Sequence, residues 1–242
     1  LKQIGIEVKT VFTGDSRYED LRGAANAGLN IIQCAGSMHY LAGKLEEAYG
    51  IPCLSVSFLG LQDTAESLRA IARHFGDAAV IQRAEELIAT ENARVAPEIE
   101  KYRNRLQGKK AAVYVGGGFK AISLIKQFRE IGMDVVMIGT QTGRQEEYEK
   151  IDILVDDGAV ILDDANPAEL ERFMLEQGAD LLVGGVKERP LAYKLGVAFV
   201  DHNHDRKHPL SGYAGAVNFA DEVYSTLGSP VWAAVKRSVT YA

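Results

Sequence analysis

Cys34 has the setting in this sequence that most favours chemistry. It ends the apolar run 29–34, and small residues separate it from the amphipathic segment 38–49. This pattern predicts a parallel strand, a tight turn and a helix, with Cys34 at the carboxyl end of the strand. Backbone N–H groups at a helix start favour a thiolate, so Cys34 is a candidate metal ligand or reactive cysteine. The alternative is an inert core cysteine, since free cysteines are mostly buried.

Histidines form a second group of candidate ligands. The segment 201–208 carries three of the five histidines and follows the predicted strand 197–200. It should therefore lie at the carboxyl edge of a sheet, where open α/β domains bind ligands. The His-x-His pattern is compatible with a metal site, but the spacing of common zinc motifs is absent, and a polar surface loop is the alternative. His39 lies just beyond one helical turn from Cys34 and could support a ligand there.

A run of glycines, Gly116-Gly117-Gly118, follows a predicted strand and opens a predicted helix. Backbone N–H groups in such a turn can cradle an anion. The spacing fits neither the dinucleotide fingerprint nor the P-loop. A close approach to a bulky ligand or to another loop is therefore favoured, with Phe119 and Lys120 offering one apolar and one cationic contact.

Lys187 follows another glycine turn, at the predicted start of a helix over 186–195. A cation is unfavourable at a helix N-terminus because the helix dipole is positive there. The position therefore indicates an anionic partner, which is either an acidic side chain or an anionic ligand.

The elements that must position these residues alternate between strand and helix. The alternation predicts an α/β fold of two Rossmann-like domains, with parallel sheets flanked by helices. The first domain, 1–107, has predicted strands at 4–12, 31–34 and 53–58, and a charged helix over 78–106 that Pro97 kinks or splits. The second, 108–242, ends in predicted helices at 211–227 and 230–241. A ligand is expected in the cleft between two such domains.

Composition excludes several classes of protein. The net charge of -6 argues against non-specific nucleic-acid binding, which requires a basic face. No apolar run is long enough for a membrane span, and no signal peptide opens the chain, so no membrane association is expected. The 2 cysteines cannot form a disulfide framework, which predicts a reducing, cytoplasmic location. The chain begins at Leu1, which suggests a fragment of a longer protein.

Several strings of this sequence resemble the NifE family, the nitrogenase iron–molybdenum cofactor biosynthesis proteins. These strings are 33–40, 138–143, 163–167, 184–197 and 201–207. That family is related to the α subunit of nitrogenase component 1. The resemblance covers essentially the whole chain and implies the second and third of three Rossmann-like domains. It implies a scaffold on which an iron–sulfur precursor cluster matures during nitrogen fixation, rather than a turnover enzyme.

The resemblance also implies roles for individual residues. Cys34 matches the cysteine that binds the terminal iron of the cofactor or its precursor, in keeping with the preference of such iron for thiolate. His202 matches the histidine that binds molybdenum, and a small register shift would bring Asn203 or His204 there instead. Lys187 matches the lysine near homocitrate. Phe119 stands where the α subunit has an arginine, and the loss of that cation fits a scaffold that releases its cluster.

The expected cofactor contacts are completed by His39 and the glycines Gly116, Gly117 and Gly118. The partners that the resemblance implies are NifN, as a heterotetramer in the full-length protein, NifB as the source of precursor, and the nitrogenase iron protein as the source of molybdenum and homocitrate. The iron–sulfur cluster that the family's first domain shares with NifN is not expected here. A nitrogenase component 1 α subunit or a related reductase is the alternative function, and a nucleotide-binding Rossmann protein is the non-metal alternative.

Overall fold

The structure, a computed structural model, describes residues 1–12, 16–33, 35–202, 208–232, 234 and 235, without the side chains of 35–37. Its strands are β1 (Asn30–Ile32), β2 (Cys53–Ser55), β3 (Lys110–Val115), β4 (Asp134–Thr140), β5 (Val160–Asp163), β6 (Leu181–Gly184) and β7 (Ala198–Asp201). Its α-helices are α1 (Ala35–Tyr49), α2 (Gly60–Phe75), α3 (Ala78–Leu106), α4 (Gly118–Glu130), α5 (Gln145–Leu154), α6 (Pro167–Gln177), α7 (Arg189–Leu195) and α8 (Gly212–Leu227). Two short 3-10 helices cover Lys2–Ile4 and Tyr18–Asn26. Within this described part of the chain, no helix combines the length and apolar character that a membrane span requires.

The chain divides into two compact units. One consists of Leu1–Phe58 and Asp63–Arg94, and the other of Leu59–Gln62 and Val95–Ala242. The helix α3 runs through the division and continues past Pro97, where we predicted a kink or a break. Its last part belongs to the core of the second unit, where Leu106 is buried. The predicted domain limits, 1–107 and 108–242, stay a prediction.

The first unit contains a βαβ element. Strands β1 and β2 pair in parallel, with Asn30 opposite Cys53, and α1 connects them. The hydroxyl of Ser67 fastens the chain beyond β2, because it accepts from the N–H of Ser57 at 3.1 Å and donates to the carbonyl of the same residue at 2.7 Å. Both predicted strands of this element exist, although each is shorter than predicted.

The predicted strand over 4–12 is wrong. Residues 2–4 form a 3-10 helix, and Gly5 follows in the left-handed region at a φ of 87°. The carbonyl of Ile4 accepts from Arg83 Nε at 3.1 Å, and Val8 and Val11 are about half exposed. An alternating apolar pattern becomes a strand only where a neighbouring strand completes its hydrogen bonds. The described residues 1–12 have no such neighbour.

The second unit is a three-layer α/β domain. Its five strands are all parallel and lie in the order β5-β4-β3-β6-β7. On one face, alternate residues of β3 such as Val113 pack with α4, α5, α8 and the end of α3. On the other face, the intervening residues such as Tyr114 pack with α6 and α7. Continuous apolar strands are expected when both faces of a parallel sheet are covered. The predicted α/β class with parallel sheets flanked by helices is confirmed.

Glu130, at the end of α4, caps the start of α2 within the second unit. Its carboxylate accepts from the N–H of Leu61 at 2.8 and 2.9 Å and from that of Gln62 at 2.8 Å. Gly60 precedes them at a φ of 74°, and a Cβ there would lie 2.8 Å from Glu130 Oε2. A carboxylate at a helix N-terminus satisfies free N–H groups and complements the helix dipole. Glu130 therefore fixes Leu59–Gln62 to the second unit.

Glu130→Ala should lower the free energy of unfolding by about 1–2 kcal/mol, the usual effect of losing a helix cap. Urea unfolding measures this loss. Glu149→Ala is the matched control, since Glu149 is exposed and bonds only Gln145 of its own helix, at 3.3 Å, among the contacts described. A loss no larger than that of the control would contradict the capping role.

Tyr102 connects α3 to α8. Its hydroxyl donates to Asp221 Oδ1 at 2.8 Å, and its ring lies 5.8 Å from that of Tyr224. Burial, followed by the hydrogen bond to Asp221, raises the pKa of Tyr102 from 10.0 to about 12. The folded state therefore favours the protonated phenol.

This raised pKa makes stability depend on pH at the alkaline end. The contribution of the Tyr102 hydroxyl should be fully present below pH 10.0 and should disappear as the pH rises toward about 12. Tyr102→Phe cannot titrate, so the difference in unfolding free energy between wild type and variant should shrink across that interval. Urea unfolding at several pH values measures it, and a constant difference would refute the assignment.

Candidate functional site

The carboxyl edge of the second unit's sheet contains a topological switch point between β3 and β6. The chain leaves β3 toward β4 on one side and leaves β6 toward β7 on the other. A crevice therefore opens between the two connections, and this is where open α/β sheets bind ligands. The connections that border it begin with Gly116 and Gly185, the two glycine turns that the sequence indicated.

The glycine run after β3 divides into an open part and a packed part. A Cβ added to Gly116 or Gly117 would meet no atom within 4 Å. A Cβ on Gly118 would lie 2.6 Å from the Cβ of Glu147. Gly118 is thus required by packing against α5, whereas Gly116 and Gly117 leave their backbone open to a ligand. Phe119 follows, partly buried, in the first turn of α4.

Thr142, in the connection after β4, holds the glycine run in place. Its N–H donates to the carbonyl of Gly116 at 2.9 Å, and its hydroxyl donates to the same oxygen at 2.6 Å. The neighbouring Gln141 N–H donates to the carbonyl of Val115 at 3.2 Å. The peptide plane at the open end of the glycine run is therefore set by the loop beside it.

Tyr148 anchors that neighbouring loop from α5. Its hydroxyl lies 2.7 Å from Thr140 Oγ1 and donates to Asp163 Oδ1 at 2.8 Å. Burial, and then the hydrogen bond to Asp163, raise the pKa of Tyr148, while the hydrogen bond with Thr140 lowers it. Gly143 has no room for a side chain because Tyr148 Cζ would lie 2.8 Å from its Cβ. The ends of β4 and β5 are thus joined through one phenol.

The connection after β6 is tightened by Glu188. This buried carboxylate accepts from the N–H of Gly185 at 2.8 Å, and Arg189 next to it donates to Asp201 Oδ2 at 2.9 Å. The turn delays the helix, so α7 begins at Arg189 and the predicted start at 186 is wrong. Lys187 is exposed in this turn and forms no ion pair with a carboxylate of the described residues.

His202 lies where β7 ends and is held by its backbone on both sides. Its N–H donates to the carbonyl of Gly184 at 3.0 Å, and its own carbonyl accepts from Lys120 Nζ at 2.6 Å. The residue is 8% exposed, and its ring lies edge-to-face with Phe219, with 5.9 Å between ring centroids. The connections after β3, β6 and β7 are therefore joined at one edge of the sheet.

The other predicted site residues belong to the first unit or are not described. His39 is exposed on α1. Cys34, Asn203 and His204 lie outside the described residues. Cys53 is partly buried in β2, and burial, followed by the charge of Glu46, raises the pKa of its thiol. Among the described residues, no group of three or more His, Cys, Asp or Glu side chains is arranged to hold a metal ion.

Comparison with known proteins now identifies the family. The family described as nitrogenase component 1 type oxidoreductase matches residues 1–228. The chain belongs to this family. A solved structure of nitrogenase Cp1 at pH 6.5 superposes with a TM-score of 0.84 at 27% identity, over 96% of this chain and 55% of that one.

Two relatives in this nitrogenase component 1 type family carry the same name. The chain is 58% identical over 232 residues to the nitrogenase iron-molybdenum cofactor biosynthesis protein NifE of Clostridium pasteurianum, covering 96% of this chain and 51% of that protein. It is 51% identical over 238 residues to NifE of Methanosarcina barkeri, covering 98% of this chain and 51% of that protein. The chain thus spans about half the length of the curated relatives it matches.

Sequence reasoning missed the residues that hold the connections at this candidate site in place. Thr142 and Tyr148 fall in or next to a recognised string, but their partners are 26 and 15 residues away. Glu147 is the reason that position 118 requires a glycine, but the two residues meet only when α5 packs on α4. Lys120 was seen as a contact for a ligand, and in the structure its ammonium binds the carbonyl of His202, 82 residues along the chain. No local pattern specifies such pairings.

The packed and open parts of the glycine run predict different losses of stability when a side chain is added. Gly118→Ala should lower the free energy of unfolding by about 1–3 kcal/mol, the usual cost of overpacking, because its Cβ meets Glu147. Gly116→Ala should cost far less, because its Cβ meets nothing. Urea unfolding of both variants tests this, and equal losses would show that the run is not divided in this way.

Proposed function

We propose that this chain is part of a scaffold protein for maturation of the nitrogenase iron–molybdenum cofactor. Its cargo is an iron–sulfur precursor cluster. The observation that carries this proposal is the 58% identity, over 96% of the chain, to a relative named as an iron-molybdenum cofactor biosynthesis protein. The identity to nitrogenase Cp1 is much lower, at 27%.

The geometry of the switch point is suited to a bulky, anionic cargo. The backbone of Gly116 and Gly117 is open, so N–H groups at the start of α4 can approach a sulfide or another anion closely. Lys187 adds an exposed cation on the opposite side of the switch point. In this proposal Lys187 faces the organic acid homocitrate, and Phe119 supplies an apolar contact without a fixed positive charge.

The proposed ligands are Cys34 for iron and His202 for molybdenum. Thiolate and imidazole are the donors that these metals accept in proteins. The ring of His202 packs on Phe219, so ligation by this imidazole requires the ring to turn away from the core. Asn203 and His204 are the alternative second ligands, and His39 is the proposed support for the thiolate of Cys34.

The proposed partners are those that the resemblance to the NifE family implies. In the whole protein, NifN would complete a heterotetramer, NifB would supply the precursor, and the nitrogenase iron protein would supply molybdenum and homocitrate. The net charge of -6 is in keeping with a protein that acts without nucleic acid. A cytoplasmic location belongs to the same proposal, because free thiols that can ligate a cluster stay reduced there.

The second candidate function is that of a nitrogenase component 1 α subunit or a related reductase. The TM-score of 0.84 to nitrogenase Cp1 is the observation in its favour. An assay of acetylene reduction, with the purified protein, its matching partner subunit and the iron protein, discriminates between the two. Sustained turnover would support the reductase, and cofactor release without turnover would support the scaffold.

Cys34→Ala should remove most of the iron from protein purified anaerobically from cells that make the cofactor. The reason is that the variant lacks the thiolate proposed to hold the cluster. Iron per polypeptide, measured by elemental analysis, is the readout. Cys53→Ala is the matched control and should retain iron while losing packing stability, since Cys53 is a partly buried strand residue. Unchanged iron in Cys34→Ala would overturn the ligand assignment.

A further inference from the structure

Lys120 occupies a position that is electrostatically unfavourable without a partner. It lies in the first turn of α4, where the helix dipole disfavours a cation. Its side chain is partly buried, and Nζ donates to the carbonyl of His202 at 2.6 Å. This short, charge-assisted bond belongs to the stronger class of hydrogen bonds in proteins. The ammonium therefore binds the backbone at the end of β7.

The peptide of His202 has little freedom as a result. Its N–H is bound to the carbonyl of Gly184 at 3.0 Å, so β6 holds one side while Lys120 holds the other. The preceding residue, Asp201, accepts from Arg189 at 2.9 Å. Because the backbone is held on both sides, the point from which the His202 ring turns is fixed as well.

The same bond joins two connections that β6 separates. Lys120 is in the turn of α4 that follows Gly118, and His202 follows β7, which is two strands from β3. A displacement of the glycine run would therefore move the backbone at the end of β7. A displacement at the end of β7 would likewise move the glycine run. The open end of the glycine run is in turn set by Thr142, through the carbonyl of Gly116.

We propose that Lys120 is a positioning residue, which fixes His202 relative to the glycine run and thereby sets how tightly the cargo is held. The proposal rests on the proposed function for its cargo, and on the Lys120–His202 bond for its mechanism. Lys120 acts through the backbone of His202 and needs no contact with the cluster. A lysine is suited to this task because its flexible stem lets a compact ammonium reach a single carbonyl.

The test compares Lys120→Met, Lys120→Arg and the control Lys150→Met in the whole protein. Met keeps the length of the stem without the charge, Arg keeps the charge, and Lys150 is an exposed lysine on α5. The first readout is hydrogen exchange at the amide of His202. Lys120→Met should speed exchange about tenfold or more, as expected for loss of a hydrogen bond from a charged group next to that amide. Lys120→Arg should restore much of the protection, and Lys150→Met should leave it unchanged.

The second readout is cargo iron per polypeptide in the anaerobically purified protein, which is the iron in excess of the cluster that the family's first domain shares with NifN. Pulsed EPR of the loaded cluster is its spectroscopic counterpart. Lys120→Met should retain less than half of the wild-type cargo iron, with an altered cluster signal, and Lys120→Arg should recover both. Unchanged exchange in Lys120→Met would overturn the positioning mechanism. Faster exchange with unchanged iron and signal would overturn the link to cargo. Wild-type protein without cargo iron would overturn the proposed function and the cargo link with it, whereas exchange would still decide whether Lys120 positions His202.

Discussion

The reversal of strand order between β3 and β6 is the constraint on which the second unit depends. Neighbouring parallel strands whose connections leave in opposite directions create a crevice at their carboxyl ends. The glycine run and the turn around Lys187 both border this crevice because each follows one of the two strands. Every proposed role for Gly116, Gly117 and Lys187 follows from that adjacency, and the layers of helix on both faces of the sheet maintain it.

Support for the crevice comes from side chains that hydrogen-bond to the connections and strand ends around it. Thr142 orients the carbonyl of Gly116, Tyr148 joins the ends of β4 and β5, and Glu188 tightens the turn after β6. Lys120 extends the same support to His202. Preorganisation of this kind limits the motion of the groups that receive a ligand, which reduces the entropy lost on binding. For a scaffold that must both hold and release its cargo, such supporting bonds are a means of setting affinity.

The parts of the fold that local chemistry determines could be predicted from the sequence. The helix α6 begins at Pro167 for local reasons, because the Asn166 side chain accepts from two N–H groups of the first turn and Pro167 is compatible with the first helical position. The strand predicted over 4–12 is not formed, because a strand also needs a neighbouring strand to complete its hydrogen bonds. The glycine run was found as a motif, but the reason for Gly118 was not, since Glu147 reaches it only after α5 packs on α4. Likewise, the bond between Lys120 and His202 spans 82 residues and leaves no local pattern.

The most direct test of the central claim is iron X-ray absorption, with elemental analysis, on protein purified anaerobically from cells that make the cofactor. A scaffold that carries an iron–sulfur precursor should contain several iron atoms per polypeptide, with sulfur as the dominant neighbour of iron. Protein that contains no iron, or iron coordinated only by oxygen and nitrogen, would contradict the account.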